Sequence, residues 1–150
     1  MAQNNNNERR PLVFLDTNVL MEYLRGKPLE SRLLSDQMLK QYRFAVNPVV
    51  LSELLLAAGH QNNTDKNKLE HIQEFLQVLP VNNAELHLLL DKIQTLRNRA
   101  AHSNDLLIYS SAAECDYLLT KDDSFKNLQE TERPIILTTQ EFLEQAEHRS

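Results

Sequence analysis

The run Leu12-Val13-Phe14-Leu15 is apolar at every residue and stops at once on Asp16-Thr17-Asn18. A strand that reads as a continuous apolar run is buried on both faces, and the turn-and-cap residues directly after it start a helix. The pattern recurs along the chain. A short strand around Phe44 to Val46 leads through Pro48 into a helix over Val49 to Ala58 that stops near Gly59. A strand around Val78 to Val81 precedes a helix from Ala84 to Leu96, with Asn82 or Asn83 as its cap. Tyr117 to Thr120 and Ile135 to Thr138 are two more strands, and Gln140 to His148 forms a closing helix. Between them, Leu29, Leu33, Leu34, Met38, Leu39 and Tyr42 fall at helical spacing and predict one helix, as do Leu69 to Leu76 and Leu106 to Glu114, the last capped by Asn104 or Asp105. Gln61 to Lys68 and Arg97 to Ser103 are polar connectors. Strands alternating with helices predict an α/β fold: a three-layer α/β/α sandwich with a central parallel sheet of about five strands.

Residues 1 to 10, MAQNNNNERR, are polar and aperiodic and are expected to form a disordered tail, leaving residues 11 to 150 as a single domain. Glycine occurs only at Gly26 and Gly59, so no glycine-rich phosphate loop or dinucleotide fingerprint can be written. The one cysteine, Cys115, has no internal partner, and no Cys/His group has zinc spacing, which suits a reducing compartment; a cytoplasmic location is expected. The apolar stretch after Arg9-Arg10 is interrupted by Asp16, Asn18 and Glu22, which argues against a secretory leader, and no run approaches the roughly 20 apolar residues of a membrane span. A net charge of −5 argues mildly against nonspecific nucleic-acid binding. Four acids holding two divalent ions would bring the bound protein to about −1, which weakens that objection.

In a parallel sheet flanked by helices, ligands bind beyond the carboxyl ends of the strands. That edge collects Asp16 after the first strand, Glu53 about one turn into the helix after the second, Asp105 at a helix start, and Asp122 just beyond the fourth strand. Asp16 and Asp105 also suit helix N-caps, and Asp122 a turn. Glu53 is less easily accounted for, because only it and Ser52 are polar between Val49 and Ala58, and a buried carboxylate is costly without a partner. Acids gathered at one edge repel unless a proton or cation intervenes. An oxygen-only set suits Mg²⁺ or Mn²⁺ rather than zinc, and adjacent helix N-termini are expected to favour the ionised forms of Asp16 and Asp105. Two such ions would activate water and stabilise the leaving oxygen in an in-line displacement at phosphorus.

Four segments, Leu12 to Leu20, Val50 to Leu54, Asn104 to Ile108 and Leu118 to Phe125, together resemble the PIN-domain family of metal-dependent nucleases, including the toxins of VapBC-type toxin–antitoxin pairs. The likeness spans roughly Pro11 to Phe142. It implies a Mg²⁺- or Mn²⁺-dependent endoribonuclease acting on RNA, with Asp16, Glu53, Asp105 and Asp122 at the acidic metal-site positions. Thr17 and Asn18 would support the first acid and Thr120 the last. It also implies an antitoxin protein as partner. Three departures stand out: the doublet that makes Asp123 a rival to Asp122, the bulkier and more polar Tyr109-Ser110-Ser111-Ala112, and Asp116 at a turn where relatives commonly have Gly.

Arg97, Arg99 and Lys121 lie near the same edge and are candidate RNA-binding residues, with an ordinary solvated surface as the alternative. The apolar faces of Leu29 to Tyr42 and Ala84 to Leu96 serve either the core or a groove for a homodimer or inhibitor. Two other functions compete. An aspartate-based phosphohydrolase or phosphoacceptor would use Asp16 as nucleophile, but Asn18 stands where haloacid-dehalogenase-like phosphatases have a second Asp, and Asn82-Asn83 follow the third strand where receiver domains have theirs. A catalytically silent binding module would keep the fold as a scaffold.

Overall fold

The computed structural model describes residues 9–59, 66–85, 87–88, 103–122, 125–126, 129 and 132–149. In chain order the elements are β1 (Leu12–Leu15), α1 (Thr17–Leu24), α2 (Pro28–Leu33), α3 (Asp36–Gln41), β2 (Arg43–Val46), α4 (Pro48–Gly59), α5 (Lys66–Phe75), β3 (Gln77–Val78), α6 (Ser103–Ala112), β4 (Tyr117–Leu119), β5 (Ile135–Leu137) and α7 (Thr139–Arg149). The sheet runs β3-β2-β1-β4-β5 and every pairing is parallel, giving the α/β/α architecture. β1 is central, and Val13, Phe14 and Leu15 are wholly buried, as its unbroken apolar run requires.

The chain builds outward from β1 through β2 to β3, then returns to the other side of β1 for β4 and β5. The carboxyl ends of β1 and β4 therefore form a topological switch point, where crossovers diverge and leave a crevice. Register makes these ends level: Leu15 pairs with Leu119, and the Asp16 amide donates to the Leu119 carbonyl at 3.0 Å. Asp16 and Thr120 consequently leave the sheet side by side.

Several elements differ from expectation. The single helix predicted over Leu29 to Tyr42 is two, because the chain leaves helical geometry at Leu34 and Ser35 is extended (φ −73°, ψ 160°). With the chain turned there, Leu33 and Leu34 are both buried. β3 is Gln77–Val78 rather than a strand reaching Val81. Leu79 still donates to the Val46 carbonyl at 2.8 Å, but beyond it the chain is held by the helix α6 instead, the Pro80 carbonyl accepting from Ser111 and the Asn82 amide donating to Ser110. α6 starts at Ser103, so Asp105 lies inside its first turn and is not its cap. Of the helix predicted from Ala84, residues 83–85, 87 and 88 are helical, and the rest of it, with residues 97–102 of the predicted loop, falls outside the described residues. Asn82 caps its start by accepting from the Glu85 amide at 3.1 Å.

Two departures from the family pattern have structural work. The Asp116 carboxylate accepts from the Leu12 amide and from Arg133, each at 2.8 Å, while its backbone pairs with Leu12 and Ile135. It thus ties the starts of β1, β4 and β5 together. Ser110 and Ser111 are buried and hydrogen-bonded: Ser111 donates to the Pro80 carbonyl at 2.6 Å, and Ser110 accepts from the Asn82 amide at 3.3 Å. They hold the segment beyond β3 against α6.

Asn47, fully buried, joins this polar seam to α4. Its Oδ1 accepts from the Val50 amide at 3.0 Å as the N-cap of α4, and its Nδ2 donates to the Leu107 carbonyl at 3.0 Å and to Ser111 Oγ at 3.1 Å. Asn47→Ala loses the cap and two buried bonds and is expected to cost about 2–4 kcal/mol, read as a lower urea midpoint with unchanged slope. A cost within about 0.5 kcal/mol, as for an ordinary surface change, would contradict this role.

Candidate active site

A cleft of about 350 Å³ opens at the switch point and is lined by Asp16, Thr17, Asn18, Met21, Glu22, Arg25, Glu53, Asp105, Ile108 and Asp122. Five of these residues are acids: Glu22 comes from α1, and the four foreseen ones, Asp16, Glu53, Asp105 and Asp122, come from the end of β1, from α4, from α6 and from the loop after β4. Asp123, Arg97 and Arg99 lie outside the described residues.

Asp16 is the most enclosed of the four, with 6% of its surface exposed. It is the N-cap of α1: Oδ1 accepts from the Thr17 amide at 2.7 Å, and Oδ2 accepts from Thr120 Oγ1 at 2.7 Å. Burial pushes its carboxyl up to about 6, the hydrogen bonds from Thr120 and Thr17 oppose that rise, and the charges of Asp105 and Glu53 add to it. The helix N-terminus was expected to keep Asp16 readily ionised. Enclosure outweighs it, because the carboxylate gives up more water than two donors replace.

The hydroxyls connect the acids. Thr17 Oγ1 donates to Glu53 Oε1 at 3.0 Å, so one residue binds Asp16 through its amide and Glu53 through its side chain. Thr120 Oγ1 donates to Asp16 and accepts from the Asp122 amide at 3.0 Å, joining the first acid to the last. Asn18 acts on the other side of the cleft, its Oδ1 accepting from the Lys121 amide at 3.3 Å and tying the loop after β4 to α1. Glu53 is half-buried rather than enclosed, and α4 does have a solvated face, since Leu55 is 49% and Leu56 68% exposed.

The donor set is oxygen only, which fits a hard divalent cation. Enclosure and neighbouring negative charge leave Asp16 short of compensating positive charge, the condition a cation relieves. Among the described residues, no three His, Cys, Asp or Glu side chains are grouped as a metal cage. Cys115 is no rival nucleophile: it is buried, and burial pushes its thiol up to about 12.

Glu22, Arg25, Met21 and Ile108 were not foreseen as cleft residues. Asn18, Glu22 and Arg25 are spaced by four and three along α1, so helical periodicity from Asn18 points to them. Ile108 follows Asp105 by three on α6. No described helix is long and apolar enough to cross a membrane.

The PIN domain family model matches residues 13–130. No curated protein is significantly similar in sequence. Among solved structures, VapBC2 from Rickettsia felis, bound to a DNA fragment from their promoter, aligns at 20% identity with a TM-score of 0.69, covering 85% of this chain and 98% of that one. VapBC-1 from nontypeable Haemophilus influenzae aligns at 20% identity and TM-score 0.64, covering 86% and 98%. A toxin-antitoxin complex from Klebsiella pneumoniae aligns at 14% identity and TM-score 0.59, covering 85% and 97%. At these identities the likeness is one of fold.

Proposed function

The chain belongs to the PIN-domain family, and from that membership we propose that it is a metal-dependent endoribonuclease that hydrolyses RNA phosphodiester bonds at the four-acid cleft. The observation that carries this reading is the convergence of acids from four separate segments on one cleft, with the innermost, Asp16, buried and electrostatically uncompensated. Capping alone accounts for Asp16 but leaves Glu53 and Asp105 lining the same cleft without a reason.

Asp16, Glu53, Asp105 and Asp122 are the residues that would hold Mg²⁺ or Mn²⁺. When bound, the ion supplies positive charge for activating water and for stabilising the oxygen that leaves phosphorus. The chain's own part is positioning. Thr17 fixes Glu53 relative to Asp16, and Thr120 fixes Asp16 relative to the Asp122 backbone, so the acids enter the reaction already oriented.

The similarity in fold to chains of VapBC and other toxin–antitoxin complexes supports a finer reading: this chain is the toxin of such a pair, held by an antitoxin protein. A homodimer acting in the cytoplasm completes the proposal. A neighbouring reading frame for a small, partly disordered DNA-binding protein, whose co-expression suppresses cleavage, is the expected finding. Its absence would remove the toxin assignment and leave the nuclease.

The test of the activity is direct. Purified protein should cut labelled RNA with Mg²⁺ or Mn²⁺ and stop with EDTA, and Mn²⁺ titration should raise its melting temperature. Cleavage that persists in EDTA excludes the mechanism, and the absence of both cleavage and Mn²⁺ stabilisation indicates a silent binding module.

A further inference from the structure

A cleft lined by five carboxylates repels the polyanion it is proposed to cut, so the substrate's phosphates need cations close by. Among the described residues lining the cleft, Arg25 is the one cation. It is the C-cap of α1, and the helix end is fixed by a double-bonded turn: the Gly26 amide donates to the Tyr23 carbonyl at 3.0 Å and the Lys27 amide to the Glu22 carbonyl at 3.1 Å. Gly26 sits there at φ +78°, a conformation that disfavours other residues. The position of Arg25 is therefore set by the backbone.

Lys121 reaches the same place from the opposite side, from the loop after β4 that Asn18 holds. The two cations converge on one atom: Glu22 Oε1 lies 2.9 Å from Lys121 Nζ and 3.5 Å from Arg25 NH1. The hydrogen bond from Lys121, with the charges of Lys121, Arg25 and Lys27, keeps the Glu22 carboxyl below the usual carboxylate range. Glu22 is partly buried, whereas the side chains of Arg25 and Lys121 are 48% and 55% exposed. The trio thus has one anchored anion and two solvent-reaching cations, a net charge of +1 at the rim.

We infer that Arg25 and Lys121 form a clamp for an RNA phosphate flanking the scissile bond, and that Glu22 is its built-in competitor, occupying the cations until the phosphate displaces it. The clamp rests on the reading above only in taking RNA as the ligand of the cleft. Ion pairs whose cations reach solvent contribute little, so the exchange costs little, while the guanidinium offers a phosphate its paired donors. A brace meant only to fasten the β4 loop to α1 would not need Arg25, which shares its helix with Glu22.

The test uses a labelled single-stranded RNA of mixed sequence. In the Asp16→Asn background, anisotropy should give a log affinity against log salt slope that is shallower by about 0.7 in the double variant R25A/K121A, with each single change giving part of that loss. In the otherwise wild-type enzyme, each single change should raise KM about five-fold with kcat within about two-fold, corresponding to about 1 kcal/mol of substrate binding. Glu22→Gln should bind RNA more tightly, by about two- to five-fold, since it frees both cations. An unchanged salt slope in the double variant overturns the clamp, as does an E22Q that weakens RNA binding in the way R25A does. Wild-type protein that binds RNA but does not cut it would sink the nuclease reading alone, leaving the slopes to decide the clamp.

Discussion

Asp16→Asn is expected to lower RNA cleavage by about 10³-fold or more while making the metal-free protein harder to melt at pH 8. The two effects share a cause. Asp16 is the carboxylate held deepest in the cleft, 6% exposed, with its carboxyl pushed up to about 6 from an ordinary 3.8. Removing its charge would remove the proposed metal ligand deepest in the cleft, and several kcal/mol of transition-state stabilisation corresponds to the rate loss above. The same removal relieves the folded protein of a poorly solvated anion. The rise of about two units is worth about 3 kcal/mol, and the gain should fall below that because the Asn amide does not reproduce the acceptor offered to Thr120. A melting temperature higher by about 5 °C is expected at pH 8.

The pH dependence follows with a definite sign. A carboxyl whose folded pKa exceeds its unfolded one binds its proton more tightly in the native state, so protonation stabilises the fold. The contribution of Asp16 is therefore complete below about pH 4 and is lost as pH rises through about 6. Glu22 and Glu141 have the opposite sense, their carboxyls held low chiefly by hydrogen bonds from Lys121 and from the Thr138 backbone, and their stabilisation fades on acidification. The difference between wild type and Asp16→Asn isolates the buried group. Metal-free melting curves at pH 4, 6 and 8 should show the variant's advantage growing with pH, and Mn²⁺ should raise the wild type while leaving the variant unmoved. A variant that melts lower at pH 8, or that still cuts RNA, is incompatible with this account of Asp16.

What could be read in advance follows the range of the interactions involved. The apolar run Leu12 to Leu15 and the residues after it are local signals, and β1, its central place and the N-cap role of Asp16 need little else. The parallel order follows from alternation of strand and helix. The extent of β3 is different, because Val78 and Val81 look equally β-compatible, and where pairing ends depends on Ser110 and Ser111, 28 and 31 residues away, which take the backbone of Asn82 and Pro80. Burial is less legible still. Glu53 was read as enclosed on an apolar helix, yet Leu55 and Leu56 face solvent and Asp16 is the enclosed acid. Enclosure depends on which elements meet over a residue, and composition within one helix does not contain that information. The same limit hid Glu22 and Arg25. On a lone amphipathic helix they look like solvated charges; their place at the cleft depends on α1 meeting α4, α6 and the loop after β4, and Glu22 bonds to Lys121 from 99 residues away.

Phe142→Ala should be the most damaging single change away from the cleft, at about 3–5 kcal/mol. Phe142 is 1% exposed and meets two rings edge-on: Tyr42, with centroids 4.9 Å apart at 65°, and Tyr117 at 5.2 Å and 76°. Tyr42 lies immediately before β2 and Tyr117 opens β4, so this one side chain on α7 fastens the closing helix to both halves of the sheet. The rest of α7 offers little in exchange. Leu143 is its other buried apolar residue, and the Thr138–Glu141 capping box, with reciprocal bonds of 3.1 and 2.9 Å, starts the helix without docking it. Truncation leaves a cavity among rings that cannot collapse inward without losing their own packing. Against a typical total stability of about 5–15 kcal/mol, such a loss moves the melting temperature by roughly 6–20 °C. Phe142→Leu, which keeps most of the volume, should cost much less than Phe142→Ala, and Leu56→Ala, on the exposed face of α4, should stay within about 0.5 kcal/mol. Because Phe142 is not among the cleft residues, RNA cleavage per folded molecule should be retained at temperatures where the variant remains native. Equal costs for Phe142→Ala and Leu56→Ala in urea titrations would show that the aromatic contact does not hold α7 in place.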